Sequence, residues 1–430
     1  MPYAELQREL EERAACGLLR QRKVLQGPQS PHIVIGDKPY LAFCSNDYLG
    51  LANHPKLIAA LQQGAAQYGV GAGAAHLVSG HSIAHHQLEQ ALAAFVGKPA
   101  ALLFSTGYMA NLGTVQALVG KDDTVFADKL NHASLNDAML LSRAEIKRYR
   151  HGDVSHLAKL LEEADGTSGN RGEQGEMQGA AQRATKHTAV VDKERASTRH
   201  SSSPAQQVKR SAGRKLVITD AVFSMDGDLA PLPELLALCE RHNAWLLVDD
   251  AHGFGVLGEQ GRGSLAHFGI ASQRIIYMAT LGKAAGVFGA FVAAEQAVID
   301  TLVNHARSYI YTTATPPALS SALLESLKLI GQGDALRGHL CGLIAQLRGG
   351  LADLRWQLMS SDTAIQPLLI GDNKAALALS EGLRARGIWV AAIRPPTVPQ
   401  GTARLRITLS AAHSAEDVVR LIEALHELAQ

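Results

Sequence analysis

Short uninterrupted apolar runs alternate along this chain with stretches in which apolar positions recur every three or four residues. Apolar runs of about five residues bounded by turn residues fit strands covered on both faces, and the wider spacing fits helices with one covered face. Between Pro99 and Gly152 the alternation predicts βαβ units, and strand-like runs return at Lys215–Thr219, Ala244–Gly255 and Arg274–Ala294. The sum is an α/β fold with a mostly parallel sheet flanked by helices.

Ahead of that region, residues 4 to 25 carry helical spacing and read as an N-terminal arm. HIVIGDKPYLAF (His32–Phe43) reads as two strands about a Gly36-Asp37 turn, followed by a helix over His54–Tyr68. Helices are expected at 316–331 and 334–355. The remaining pattern is strand, helix, strand, strand, helix, with IWVAAIR and ARLRITLS each read as one strand and the last helix at Ala415–Leu428. This gives a small α+β C-terminal domain. The expected division is 1–50 for the arm and hairpin, 51–315 for a large domain, and 316–430 for a helical connection and the small domain. One stretch, Asp165 to Lys215, is rich in Gly, Ser, Gln and charge and has no aromatic residue, so it is expected to be a disordered, solvated insertion.

Composition narrows the function. The 430 residues include 41 basic and 40 acidic ones, a formal net charge of +1, which favours neither nucleic acid nor an anionic membrane as partner. Cys16, Cys44, Cys239 and Cys341 are scattered and form no C-x-x-C pair, so a disulfide framework and a zinc site of that type are not expected, and a reducing, cytoplasmic location fits. The opening MPYAELQRELEER has no apolar core and does not read as a signal peptide. Pro99–Gly120 is uncharged over the length of a membrane span, but Ser105, Thr106, Asn111 and Gln116 make strand, turn and helix the better reading.

Three stretches carry the chemistry. In RIIYMATLGKAAGVFGAFVAA (Arg274–Ala294), Lys283 is a single amine between apolar runs, where desolvation favours the neutral, carbonyl-condensing form. AWLLVDDAHGFG (Ala244–Gly255) ends a buried strand with Asp249, Asp250 and His252, at the end of the sheet where open α/β folds bind ligands. AALLFSTGYMAN (Ala100–Asn111) runs from strand into helix through Ser105-Thr106-Gly107, a backbone arrangement suited to phosphate. The glycine-rich GVGAGAAHLVSG (Gly69–Gly80) lacks the strand and acidic residue of a dinucleotide site. His76, His81, His85 and His86 follow with no carboxylate or cysteine between them, so no metal site is expected, although 81 and 85 are spaced to share a helical face.

A Schiff-base lysine, a strand-end aspartate and a phosphate turn together suit pyridoxal 5′-phosphate. With SNDYLGL (Ser45–Leu51), STGYMAN, NHASL (Asn131–Leu135), VFSMDGD (Val222–Asp228), VDDAHG, TLGK and RPPTVP (Arg394–Pro399), the chain resembles the α-oxoamine synthase family of fold-type I pyridoxal-phosphate enzymes from about Leu19 onward. The resemblance implies a seven-stranded, mostly parallel sheet and a homodimer with shared sites. It implies that Lys283 carries the cofactor, Asp249 pairs with its ring nitrogen, His132 stacks on the ring, and His252 bonds the ring oxygen or moves protons. Gly107, Tyr108, Ser224, Thr280, Thr312 and Thr313 would complete the cofactor site, the last two reaching the neighbouring subunit's phosphate. Arg20, Asn46, His132, Arg394 and Thr397 would bind substrate, with Arg394 on the amino-acid carboxylate.

The implied reaction is a decarboxylative condensation of an amino acid with an acyl thioester. The RPPTVP loop favours L-alanine and pimeloyl-CoA or pimeloyl-acyl-carrier protein over the substrates of glycine acetyltransferase, aminolevulinate synthase or serine palmitoyltransferase. A fold-type I aminotransferase would use the same lysine and aspartate. Ala284-Ala285 after the lysine, and His76 where many relatives have arginine, depart from the family pattern.

Overall fold

The computed structural model describes residues 2–16, 18–20, 22–166 and 213–430, so most of the Asp165–Lys215 stretch, with the disorder expected of it, lies outside the described residues. At the centre is a seven-stranded sheet: β1 (Ala100–Phe104), β2 (Thr124–Asp128), β3 (Glu145–Tyr149), β4 (Lys215–Asp220), β5 (Trp245–Asp249), β6 (Ile275–Thr280) and β7 (Ala290–Ala294). They lie in the order β1-β7-β6-β5-β4-β2-β3, parallel throughout except for β7, which runs antiparallel to both neighbours.

The apolar runs fit this sheet because both faces are covered. Val217, Leu246, Val248 and Tyr277 point into one hydrophobic cluster, and Leu216, Ile218, Leu247, Ile276 and Met278 into the other, which is the two-residue alternation of a strand. Leu246 and Leu247 are fully buried, and removing either side chain to alanine costs about 2–5 kcal/mol. β2, β4 and β5 sit side by side and end in Asp128, Asp220 and Asp249, so three carboxylates collect at one edge of the sheet.

The hairpin forms as expected, with His32–Ile35 antiparallel to Lys38–Ala42. Its turn residues Gly36 and Asp37 both have positive φ, 56° and 61°, the geometry of a tight two-residue hairpin turn. The helix Pro55–Tyr68 packs on Pro317–Gly331, and Gly64 permits the close approach, since a Cβ there would lie 2.6 Å from Ser321 Oγ.

A four-stranded antiparallel sheet, with Gln357–Leu358, Ile365–Gly371, Ala403–Thr408 and Ala391–Ile393 in that order, forms the smaller C-terminal part with helices Asn373–Ala385 and Ala415–Ala429. IWVAAIR departs from the expected single strand. Ile388–Trp389 joins the N-terminal hairpin in parallel with Leu41–Ala42, whereas Ala391–Ile393 pairs with Ala403–Thr408. The division falls at Val390, whose carbonyl accepts from Ser380 Oγ at 2.7 Å while those of Gly387 and Trp389 accept from Leu41 and Phe43. The segment thereby ties the two ends of the chain together. Among the described residues, no helix is long and apolar enough to cross a membrane.

Candidate active site

Strand geometry separates Asp249, which ends β5, from Asp250 just beyond it. Successive side chains point to opposite faces. Asp250 Oδ2 accepts from Tyr277 Oη and the Ser264 amide, both at 2.7 Å, and its burial pushes the carboxyl up to about 7. Asp249, 3% exposed, faces the helix that follows β1. Its Oδ1 accepts from the Ala251 amide at 3.0 Å and its Oδ2 from Asn111 Nδ2 at 2.7 Å. The same Asn111 amide donates to Ser134 Oγ at 2.9 Å, and Ser134 Oγ lies 2.7 Å from His132 Nδ1. His132 caps the helix Ala133–Ser142, and its amide donates to Asp220 Oδ2 at 2.7 Å. Asp249 and His132 are thus held in one polar chain through two residues that bear on neither role by themselves.

Lys283 follows β6 in a turn closed by Gly286. That glycine has φ +69°, and a Cβ on it would come 2.6 Å from the Leu51 carbonyl carbon, so the turn rests directly on the backbone of SNDYLGL. Ala284 and Ala285, the departures from the family pattern, pack into the core at 1% exposure. Lys283 Nζ is 2.9 Å from His252 Nε2, and His252 Nδ1 is 2.5 Å from Tyr48 Oη, which donates to Asn46 Oδ1 at 3.2 Å. Burial lowers the amine to about 8, against the opposing pull of Asp249 and Asp220. Burial, with Lys283 and Arg406 nearby, lowers His252 well below the ordinary imidazole value. A neutral imidazole can therefore accept from the amine at Nε2 and donate to Tyr48 at Nδ1.

The guanidinium facing this group belongs to Arg406 rather than Arg394. Arg406 is 7% exposed and raises the electrostatic cost of protonating both Lys283 and His252. Its Nε donates to the Ser224 carbonyl at 2.6 Å, and its Nη1 to Asn46 Oδ1 at 3.2 Å and Thr408 Oγ1 at 2.9 Å. Arg394, Arg20 and Thr397 instead line a cavity of about 730 Å³ with Arg13, and Lys283 is not in its wall. Arg20 Nη2 is 3.5 Å from Thr397 Oγ1. The expected substrate residues therefore divide into two places, Asn46 and His132 near the amine and the other three in the cationic cavity.

The expected phosphate residues are similarly spread. Thr106 caps the helix Gly107–Leu118, and its Oγ1 accepts the Met109 amide, which directs the amides of Gly107 and Tyr108 outward from the helix start. Tyr108 is half-exposed and its hydroxyl bonds Asp137. Thr280 Oγ1 donates to the Gly289 carbonyl at 3.1 Å and accepts the Gly282 amide at 3.3 Å. Thr313 bridges Ala75 beside exposed Tyr311, and neither it nor Thr312 takes part in the bonds about Lys283.

The sequence pattern of the aminotransferase class I and II family matches residues 38–425. An 8-amino-7-oxononanoate synthase from Nitrosospira multiformis is 59% identical over 423 residues, 98% of this chain and 95% of that one. The corresponding protein of Nitrosomonas eutropha is 56% identical over 99% of both chains. This chain belongs to the 8-amino-7-oxononanoate synthase family.

Among solved structures, an 8-amino-7-oxononanoate synthase of Francisella tularensis superposes with a TM-score of 0.70 at 28% identity, covering 90% of this chain and 97% of that one. Serine palmitoyltransferase of S. paucimobilis with a bound PLP adduct of myriocin superposes with 0.82 at 28%, covering 99% and 97%. Members of the 8-amino-7-oxononanoate synthase family use pyridoxal phosphate, and the residues of this chain fit it. A buried carboxylate that, among the described residues, has no cationic side chain bonded to it suits a protonated ring nitrogen. An amine lowered by burial suits the aldehyde, and the helix start after β1 suits the phosphate.

Five side chains in the site escaped the sequence reading: Tyr48, Asn111, Ser134, Asp220 and Arg406. Asp220 had a signal, since VITD ends an apolar run with a carboxylate as LVDD does. Arg406 sits inside the alternation of ARLRIT, where a strand's solvent-facing position and a site-facing position look the same.

Proposed function

We propose that this chain joins L-alanine to a pimeloyl thioester, of CoA or of acyl-carrier protein, to give 8-amino-7-oxononanoate, carbon dioxide and free thiol. Pyridoxal phosphate, when bound, supplies an aldehyde that holds the amino group and a ring that withdraws electrons from the alanine α-carbon. The protein's part is to hold charges and move protons around that centre. Asp249 keeps the ring nitrogen protonated, with Asn111 fixing its carboxylate. His132 covers the ring, held in orientation by Ser134. Ser224, Thr280, Gly107 and Tyr108 serve the ring hydroxyl and the phosphate.

Lys283 Nζ takes the α-proton, a task suited to an amine near 8, and His252 at 2.9 Å receives or returns a proton through Tyr48. The alanine carboxylate is assigned to Arg406, the buried guanidinium that bears on both Lys283 and His252. A carbon–carbon bond then forms at the thioester carbonyl, the carbon–sulfur bond breaks and the thiolate leaves to take a proton as free thiol, the alanine carboxyl departs as carbon dioxide, and the α-carbon takes a proton back from the Lys283 side. Arg394, Arg20 and Thr397 are assigned to the far carboxylate of the pimeloyl chain, which suits a cavity walled by three arginines. Thr312 and Thr313 are assigned to the phosphate of a neighbouring subunit in a homodimer, and the enzyme to the cytoplasm.

The observation that carries this reading is the Lys283–His252–Tyr48–Asn46 chain beside buried Arg406. The test is thiol release from pimeloyl-CoA and from the carrier-protein thioester with each of several amino acids. Release that requires alanine supports the reading. Release with glycine or serine in preference to alanine moves the chain to another α-oxoamine synthase activity, and no release with any amino acid overturns the condensation.

A further inference from the structure

The cluster of histidines after the glycine-rich loop is more than the sequence pattern suggests. No carboxylate lies between them in the sequence, but the fold brings in one that follows them: Glu89, three residues beyond His86 on the helix Ile83–Phe95 and thus on the same face. His81 stands just before Ser82, which caps that helix. We propose that His81, His86 and Glu89 form a binding site for a borderline divalent cation such as Zn2+, on the wall of a cavity of about 640 Å³.

One ligand atom from each of the three residues lies within 4.8 Å of the others, and His81 Nε2 is 3.8 Å from Glu89 Oε2. Tetrahedral zinc, with bonds of about 2.0–2.1 Å, needs ligand atoms roughly 3.3 Å apart. His81 and Glu89 stand wider than that by about half an ångström, and exposed His86, whose Nε2 lies 3.1 Å from Gln90 Nε2 at the surface, is the ligand left to rotate onto the ion. Two imidazoles and a carboxylate are the donor set of an open zinc site, with the fourth position left for water or a ligand in the cavity.

A second, independent observation concerns the partners behind the ligands. Metal-binding imidazoles ordinarily give their other ring N–H to an acceptor, and ligand carboxylates are themselves hydrogen-bonded. Here His81 Nδ1 lies 3.1 Å from Nδ1 of buried His76, whose ring stacks on Tyr309 with centroids 5.0 Å apart. Glu89 Oε1 accepts the Leu103 amide at 3.0 Å, so Oε2 is the free oxygen, and it is the one that faces His81. Both inner ligands are already oriented.

His85 shows why the alternative trio of His76, His81 and His85 is not chosen. Its Nδ1 accepts from the Ser82 amide as part of the helix cap, and its Nε2 bonds the Thr315 carbonyl at 2.7 Å, so neither nitrogen is available.

The experiment is calorimetric titration of Zn2+ into the untagged, full-length holoprotein after dialysis against a chelator, with thermal melting in parallel. About one Zn2+ per chain is expected, with a rise in melting temperature. His81→Asn, His86→Asn and Glu89→Gln are each expected to weaken binding at least tenfold. His86 is exposed, so its variant keeps the metal-free melting temperature and separates ligand loss from unfolding. Absence of Zn2+ uptake by the wild type, or a folded His86→Asn protein that binds as tightly and is stabilised as much, overturns the proposal.

Discussion

Arg406→Lys separates the two guanidinium assignments. Lysine keeps a positive charge at a position only 7% exposed but cannot reproduce the planar fork, so the nitrogen assigned to the alanine carboxylate loses its hydrogen bond. A hydrogen bond to a charged group contributes about 1.5–3 kcal/mol. At about 1.4 kcal/mol per factor of ten, that is a rise in the alanine KM of roughly 10- to 150-fold. The substitution also disturbs the bonds that the same charged group donates to the Ser224 carbonyl, Asn46 Oδ1 and Thr408 Oγ1, each lost bond costing about 1.5–3 kcal/mol of stability, so a melting curve must accompany the kinetics. Arg394→Lys serves as the counterpart. Its cavity does not include Lys283, so the alanine KM should hold while the pimeloyl thioester KM rises. The assay is thiol release with each substrate varied in turn. If Arg394→Lys raises the alanine KM and Arg406→Lys leaves it alone, the carboxylate assignment drawn from the structure is wrong and the sequence expectation is right.

Other outcomes follow from the same geometry. With Lys283 at about 8 rather than near 10.5, cofactor uptake by the apoprotein should climb with pH and level off above pH 8, and a climb that continues unbroken to pH 10 would count against a lowered amine. Burial by itself depresses the His151 imidazole, but hydrogen bonds to Asp128 and Asp228 carry it up to about 10. A raised folded value means the stabilisation is full below the unfolded value near 6.5 and fades as pH rises through 10. Urea melts of His151→Asn should therefore show a deficit at pH 6 that shrinks by pH 10, and a deficit independent of pH contradicts the charge argument. Gly286→Ala places a methyl group against the Leu51 backbone at positive φ and should lose at least ~1–2 kcal/mol along with turnover; wild-type stability would show that the Lys283 turn does not rest there.

Most of the scaffold is legible because each strand that matters is buried on both faces. LLFS, LVITD, LLVDD and IIYMAT are apolar long enough to be nothing but central strands, and their ends announce the site. The hairpin was equally plain, since Gly36-Asp37 names its own turn. IWVAAIR was not, because a six-residue hydrophobic stretch looks the same whether it serves one sheet or two, and it is the Ser380 hydroxyl on Val390 that marks the division. Among site residues, Lys283 and Asp249 stood out by charge in apolar surroundings. Asn111 and Ser134 are neutral polar groups inside helices, and their importance arises from contacts across more than a hundred residues of sequence or from a neighbouring helix cap. Arg394 and Arg406 differ only in which way a strand and a loop turn them, which no local pattern records.

The proposed mechanism requires the amine of Lys283 to make the reversible bond to the cofactor aldehyde. Reduction of the yellow holoprotein with borohydride fixes that bond, and digestion followed by mass spectrometry locates it. The pyridoxyl group is expected on the peptide containing Thr280-Leu281-Gly282-Lys283, in one copy per chain. A pyridoxyl group on any other lysine, with Lys283 unmodified, contradicts the account.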